Sequence, residues 1–530
     1  MYKIKFLNMY KSSMNAGISG IIRRVFRKKI KLGFTLFLSG LVCLMFFGTT
    51  VSAQLTAGVA KVNITNPKVR GNLTDSMYVK ALVMKSGNTS AVIITVDAVA
   101  IGGIGSVGND YFTAVRSQVN EELGIEPQNV LINASHLHGA GYNVCEDVEA
   151  RTLQAVMQAR QNMVPVNAGA GSGYEDRITE NHILKLKNGK GWAIRHANPL
   201  PPDEEIESVG PIDPEIGILR LDKKNGETLA IVYNFTGHPY QSITEETGGY
   251  PGFASKLIEK NISDGTIALF IQGFCGDVIP ILYKDVHSVR DQEPLGTMLG
   301  LSALEAIRKI KPVKTGELNV ISEVVKFPRK TDYVERIAAM ETEQEELLRS
   351  LRGTSLNFKT FLPLYIKYNI FEEYPSYYSH RYLHEKDLGR NDLEKLDEEN
   401  RRNIAKYLRN IHAMEKLARL QYNIDLAKDR KIENESAGES TMDVEIQAMK
   451  VGDFVLVTFP AEVSVQVGLN IKEKSPYSNT FVAGYTNGYI HYTPTADQFG
   501  SGAYQDHSCL LGPEWQRIYE DKVSEILRKL

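Results

Sequence analysis

The sequence predicts an α/β protein of layered, mixed β-sheets flanked by helices and broken by one helical insertion. Three observations lead there. From Thr56 onward, short apolar runs suited to strands alternate with stretches at helical spacing. Between Lys330 and Arg430 that alternation stops, and the chain turns charged, rich in Leu, Glu, Arg and Lys and nearly free of strand-like runs. The stretch Leu131–Tyr142, LINASHLHGAGY, closes an apolar run with two histidines and a glycine turn. Strand ends of this kind are where α/β proteins assemble sites.

The first 53 residues read as a leader. Met1–Lys31 holds nine basic residues and no acidic one, Leu32–Phe47 is almost wholly apolar, and Val51-Ser52-Ala53 has the small-x-small form of a signal-peptidase site. The apolar run is too short for a membrane span. The expectation is a bacterial-type export to the periplasm or the exterior, with no stable membrane span once the leader is removed. Losing the nine basic residues takes the formal charge from −2 to −11, which argues against nucleic acid or an anionic membrane surface as the main partner. Cys145, Cys275 and Cys509 remain, enough for one disulfide at most.

The elements follow in order. Tyr78–Ser86 and Ser90–Asp97 read as a hairpin around a Lys-Ser-Gly-Asn turn. Tyr111–Leu123 has helical spacing and meets Gly124, a C-cap candidate. Asn129–Ala134 is the strand that delivers the histidines. Val148–Gln161 is helical, Leu229–Phe235 and Ile267–Gln272 are buried strands, and Gly252–Glu259 and Leu295–Ile310 are helices. Asp443–Met449 and Phe454–Phe459 form a second hairpin. In the insertion, Glu335–Arg352 and Leu393–Leu426 are expected as long helices. The stretch between them is rich in tyrosine (Tyr368, Tyr374, Tyr377, Tyr378 and Tyr382), either packing those helices together or stacking on a flat ligand such as a sugar ring.

The residues fit for chemistry recur at strand ends. Alternation along a strand predicts that His136 and His138 project from one face. His238 ends the strand Tyr233-Asn-Phe-Thr-Gly, Asp277 follows Gly-Phe-Cys-Gly276, and Glu462 follows Thr458-Phe-Pro-Ala. Taken singly, Asp277 reads as a helix N-cap and Glu462 as a solvated acid. Histidines and carboxylates gathered at strand ends suit zinc.

These segments resemble the neutral/alkaline ceramidase family of zinc-dependent amidases, from about Thr56 to Tyr519 and excluding the insertion. Ala57-Gly-Val-Ala-Lys-Val-Asn-Ile-Thr-Asn-Pro67 is similar to the family's opening strand, and Ser135-His-Leu-His138-Gly to its THTHSGP signature. The resemblance implies that His136, His238 in NFTGHP and Glu462 in FPAE hold zinc. It implies that Tyr489 in Asn487-Gly-Tyr-Ile also reaches the metal, and that His138 lies beside it, near the substrate. Tyr504 to Pro513 is similar to the family's YExxSxxxGP. Three departures stand out. Ile279 occupies the position of the family's serine nucleophile, the SGP after the histidines becomes Gly139-Ala-Gly141, and the chain stops near Leu530, where the family continues into a β-rich domain.

The resulting division is a leader (1–53), an α/β catalytic domain in two parts (54–329 and 431–530) and a Tyr-rich helical insertion (330–430). The expected activity is hydrolysis of an N-acyl amide by zinc-activated water, since isoleucine has no lone pair to attack with. His138, Asp277 and Tyr489 are the expected catalytic groups. Two alternatives stand beside it. One is a zinc-dependent glycosidase, lyase, esterase or N-deacylase acting on a glycan. The other is a metal-binding protein without catalysis. The partner is a small-molecule, lipid or glycan substrate.

Overall fold

The computed structural model describes residues 54–68, 76–138, 143–194, 200–239, 248–280, 291–371, 373–375 and 379–530. The leader, the Gly139-Ala-Gly141 turn, Tyr377 and Tyr378 lie outside them.

Strands β1 (Thr56–Asn63), β2 (Tyr78–Ser86) and β3 (Thr89–Val96) form an antiparallel meander. Helix α1 (Tyr111–Leu123) then crosses to β4 (Val130–Ala134), which lies parallel to β3. Gly124 ends α1 in the left-handed conformation, its N–H bonded to Asn120 O, as its C-capping position requires. Helix α2 (Val148–Gln161) leads into the long β5 (Val164–Tyr174). Short strands β6 (Thr179–Asn181), β7 (Ile183–Leu186), β8 (Gly191–Ala193) and β9 (Ile206–Val209) follow. The chain returns to the large sheet with β10 (Glu215–Lys223) and β11 (Thr228–Phe235). It then continues through α3 (Gly249–Asn261), β12 (Ile267–Gln272), β13 (Val278–Pro280) and α4 (Glu293–Lys309).

Eight of these strands make one mixed sheet in the order β12-β11-β10-β5-β1-β2-β3-β4. Apart from the half-buried β5, its strands are buried along most of their length on both faces, so alternate residues serve different cores. Val79, Ala81 and Val83 of β2 pack with α1 and α2, whereas Leu82 and Met84 face the other way. Strand β5 is absent from the sequence expectation because VPVNAGAGSGY reads as loop. Its glycines have a packing reason: a Cβ at Gly169, Gly171 or Gly173 would come within 3 Å of Ile310 or Ala306, so their absence lets α4 lie against the strand.

The second sheet begins with β14 (Leu318–Pro328), whose partner β15 (Thr441–Val451) comes over a hundred residues later. β16 (Phe454–Thr458) and β18 (Thr480–Ala483) complete it in the order β14-β15-β16-β18. β17 (Glu462–Val463) pairs separately with β19 (Tyr492–Thr493), in parallel. Phe454, Leu456 and Phe481 of the smaller sheet bury against Leu219, Val232 and Leu269 of the larger. Helices α9 (Val465–Lys474) and α11 (Trp515–Lys529) cover the far side, around Trp515, Tyr519 and Phe459. The layers therefore run helix, sheet, sheet, helix.

Between β14 and β15 the chain leaves the sandwich as four helices: α5 (Tyr333–Ser350), α6 (Phe358–Ile370), α7 (His380–Asp387) and α8 (Asp392–Ser436), the last with 45 residues. Tyr368 and Tyr382 are buried, and both hydroxyls donate to Asp397 at 2.6 Å, so these two tyrosines bind the helices to one another. No helix among the described residues is long and apolar enough to cross a membrane. The thiols of Cys145, Cys275 and Cys509 are buried and free.

Candidate metal centre

The C-terminal ends of β4 and β12, the two edges of the large sheet, approach each other. Asn133 Oδ1 accepts from Gln272 N at 2.9 Å, and Asn133 Nδ2 donates to Gly484 O at 2.7 Å. Asn487 clamps the same edge through Ile132, its N–H to Ile132 O and its Oδ1 to Ile132 N, both at 2.8 Å. The residues leaving β4 and β11 are thereby set face to face.

His136 Nε2 lies 3.1 Å from His238 Nε2 and 3.3 Å from His138 Nε2. Glu462 Oε2 is 3.4 Å from His136 Nε2. His136 is buried and His138 is exposed at the mouth. Contrary to the expectation from strand alternation, the two histidines do not project from the strand itself. β4 ends at Ala134, and His136 adopts φ 59°, a left-handed conformation beyond the strand. A backbone turn, not the pleat, aims both rings at the same point.

Among the described residues three other non-glycine residues have positive φ, and all stand near the centre: Tyr485 (51°), Asn487 (62°) and His491 (63°). Such conformations cost free energy and concentrate at functional sites. Tyr485 stacks on His136 with centroids 4.0 Å apart, and its hydroxyl reaches Glu462 Oε2 at 3.3 Å and Cys275 Sγ at 3.2 Å. Sequence reasoning missed Tyr485; its signal was an aromatic four residues ahead of the motif tyrosine. Tyr489 donates to Glu462 Oε1 at 2.5 Å, placing the phenol one carboxylate away from the imidazoles.

The chemistry of this donor set fits a divalent metal. His136 Nδ1 bonds the Val99 carbonyl at 2.6 Å; a carbonyl only accepts, so Nδ1 carries the proton and Nε2 presents its lone pair to the cluster. Loss of solvent, then the neighbouring His136 and His138, push His238 well below the ordinary histidine range, which keeps its lone pair free. Burial alone would raise Glu462, but positive charge among His136 and His238, with the Tyr489 hydroxyl bond, holds it well below the usual carboxylate range. Lone pairs converging on one point repel unless a proton or a cation lies among them, and anionic Glu462 adds to the demand for positive charge.

Asp277 is brought to the same layer but turned away from the imidazoles. Its Oδ1 accepts from Val465 N at 2.8 Å, at the start of α9, with Asn181 and Ser464 as further partners. Burial raises it to about 6 despite those bonds. Beside it, Gly276 N donates to Val463 O, and a Cβ at Gly276 would stand 2.4 Å from the Glu462 carbonyl oxygen. Asp277 thus holds the turn that presents Glu462. Ile279 is buried in β13 and pairs with Glu180 of β6.

A cleft of about 500 Å³ opens beside Tyr489, lined among others by Asn109, Arg430, Glu433 and His491. Arg430 and Glu433 come from the last turns of α8, and Arg430 pairs with both Glu433 and His491.

A two-sheet sandwich flanked by helices, with a histidine cluster where the sheet edges meet, defines the architectural class. No known protein family and no curated protein matches the sequence, but solved structures do, and the fold is neutral-ceramidase-like. The crystal structure of neutral ceramidase from Pseudomonas aeruginosa aligns over 90% of this chain and 75% of that one, with TM-score 0.56 and 15% identity. A ceramidase complexed with C2 aligns over 90% and 76%, with TM-score 0.56 and 16% identity.

Proposed function

We propose that the chain is a zinc-dependent hydrolase that cleaves an amide through metal-activated water. The convergence of His136, His138 and His238, with Glu462 3.4 Å from His136, carries the reading. Bound among them, zinc would lower the pKa of water towards ~7 and polarise a carbonyl. The remaining work belongs to the chain. His136, held by Val99 O, and His238 supply the neutral nitrogens, with Glu462 as the carboxylate ligand. The Tyr489 hydroxyl keeps Glu462 oriented and is the nearest phenol to an oxyanion. His138, exposed at the mouth, exchanges the proton with the leaving group. Asp277 positions the Glu462 turn. Ile279 walls the site and makes no covalent bond.

A glycan substrate is the second reading, favoured by the polar cleft beside Tyr489, whose Asn109, Arg430, Glu433 and His491 suit hydroxyls better than an acyl chain.

Elemental analysis of protein purified without chelator should find about one zinc per chain. Turnover of an N-acyl amide panel should vanish on chelation and return with zinc. Full turnover after chelation would overturn the mechanism, and zinc-dependent turnover of oligosaccharides alone would establish the second reading.

A further inference from the structure

Helix α6, Phe358-Lys-Thr-Phe-Leu-Pro-Leu-Tyr-Ile-Lys-Tyr-Asn-Ile370, is mostly apolar, yet only one side of it is covered. Phe361 and Tyr368 are buried and pack, with Leu364, against Ile404, Tyr407 and Leu408 of α8. On the opposite side Phe358 is 63% exposed, Leu362 40%, Ile366 47% and Ile370 64%. Four residues apart, they form a continuous stripe along the helix. A soluble helix keeps polar residues on that side.

The charges are equally one-sided. The acidic balance of the whole chain disfavours an anionic surface, and α6 is a local exception to it, with Lys359 and Lys367 and no acidic residue. Lys359 lies within the arc of the stripe, where its stem extends along apolar surface while the ammonium reaches outward. Phe358 and Tyr365, the latter 38% exposed, are rings of the kind that settle at a membrane–water boundary. A stripe of four side chains falls well short of the 20–30 residues a side that a stable protein interface uses. It is, however, the usual footprint of a helix lying in the plane of a bilayer.

We propose that α6 is an interfacial helix that docks the helical arm on a lipid bilayer carrying anionic headgroups. The inference stands apart from the hydrolase reading, because it concerns the arm alone and its test needs no turnover.

The test is cosedimentation of the full chain with vesicles of phosphatidylcholine alone or containing 30% phosphatidylglycerol. Binding should favour the anionic vesicles and fall several-fold between 0.1 and 0.5 M salt. Tyr365→Trp should show a blue-shifted emission on the same vesicles. Ile366→Glu combined with Ile370→Glu changes only exposed positions, so circular dichroism and thermal midpoint should hold while partitioning drops at least tenfold. Lys359→Glu with Lys367→Glu should abolish the preference for anionic lipid. Absence of binding at 5 mM lipid, or equal binding by the Ile→Glu pair, overturns the proposal. So does a wild-type dimer that the Ile→Glu pair dissociates, because the stripe would then be covered by a second copy.

Discussion

Both the candidate metal centre and the helical arm lean on tyrosine–carboxylate bonds, and they use them to opposite ends. At the centre, Tyr485 and Tyr489 converge on Glu462, which is itself aimed at the histidines. In the arm, Tyr368 and Tyr382 converge on Asp397, whose role ends with holding α6, α7 and α8 together. The centre joins segments more than 300 residues apart and places each by backbone hydrogen bonds, so its atoms have little freedom. The arm is built from neighbours in sequence, with small cores around Ile424 and around Phe361, and leaves one flank apolar and open. Groups that must meet at a point need long-range closure, whereas a surface needs only a stiff support.

The largest expected effect separates the two regions outright. His136→Ala or His238→Ala should lower bound zinc from about one per chain to below roughly a tenth and turnover by ~10³-fold or more. Cutting the arm short should leave zinc unchanged. Arg352 and Asn410 already bond to each other through Asn410 Nδ2 and Arg352 O at 2.7 Å, so a short glycine link between them can replace 353–409. Loss of zinc in that protein, by elemental analysis, would show that centre and arm are one cooperative unit.

Acid provides the next contrast. His507, buried beside the base of the arm, is pushed down to about 4 by loss of solvent, against the pull of Asp506 and with Lys330, Arg336 and Arg419 adding to the depression. An unfolded histidine takes its proton near 6.5. Between those values the unfolded chain binds more protons, so stability falls as pH falls. Urea unfolding should lose about 2 kcal/mol between pH 7.5 and 5 from this residue. His507→Gln should remove that slope.

Smaller still is a local effect. Asp397→Ala strands two buried hydroxyls at a cost of about 1–3 kcal/mol, and hydrogen exchange should speed up in α6–α8 but not in β4 or β11. The smallest is Ile279→Val, expected to cost roughly 0.5–1.5 kcal/mol in thermal unfolding with turnover little changed. A large fall in turnover would mean that Ile279 touches substrate.

What was legible in the sequence follows the same division. The long arm helices α5 and α8 and the strands β11 and β12 were readable because their pattern is local, whereas α6 and α7, in the Tyr-rich stretch, were not. The histidines and Glu462 were found as motifs, since each local segment carries its own turn residues. Their mutual distances were not, because they depend on the approach of β4 to β12, which no run of residues encodes. Tyr485 and the left-handed backbone of His136 escaped for the same reason: the surroundings impose them. Strand β5 was hidden by glycines whose purpose lies in another element, α4.

The hairpin from which the arm springs has a consequence of its own. β14 and β15 stay in register to the last pair, Pro328 with Thr441, and Arg329 N still bonds Ser440 O beyond it. The two ends of the intervening segment are thus delivered side by side, like the contacts of a socket. Lengthening a closed loop adds little entropic cost once its ends are fixed, so evolution can plug a longer, shorter or unrelated module into this position without rewiring the sandwich beneath. In this protein, what the arm reaches can change without disturbing the sandwich that holds the histidine cluster.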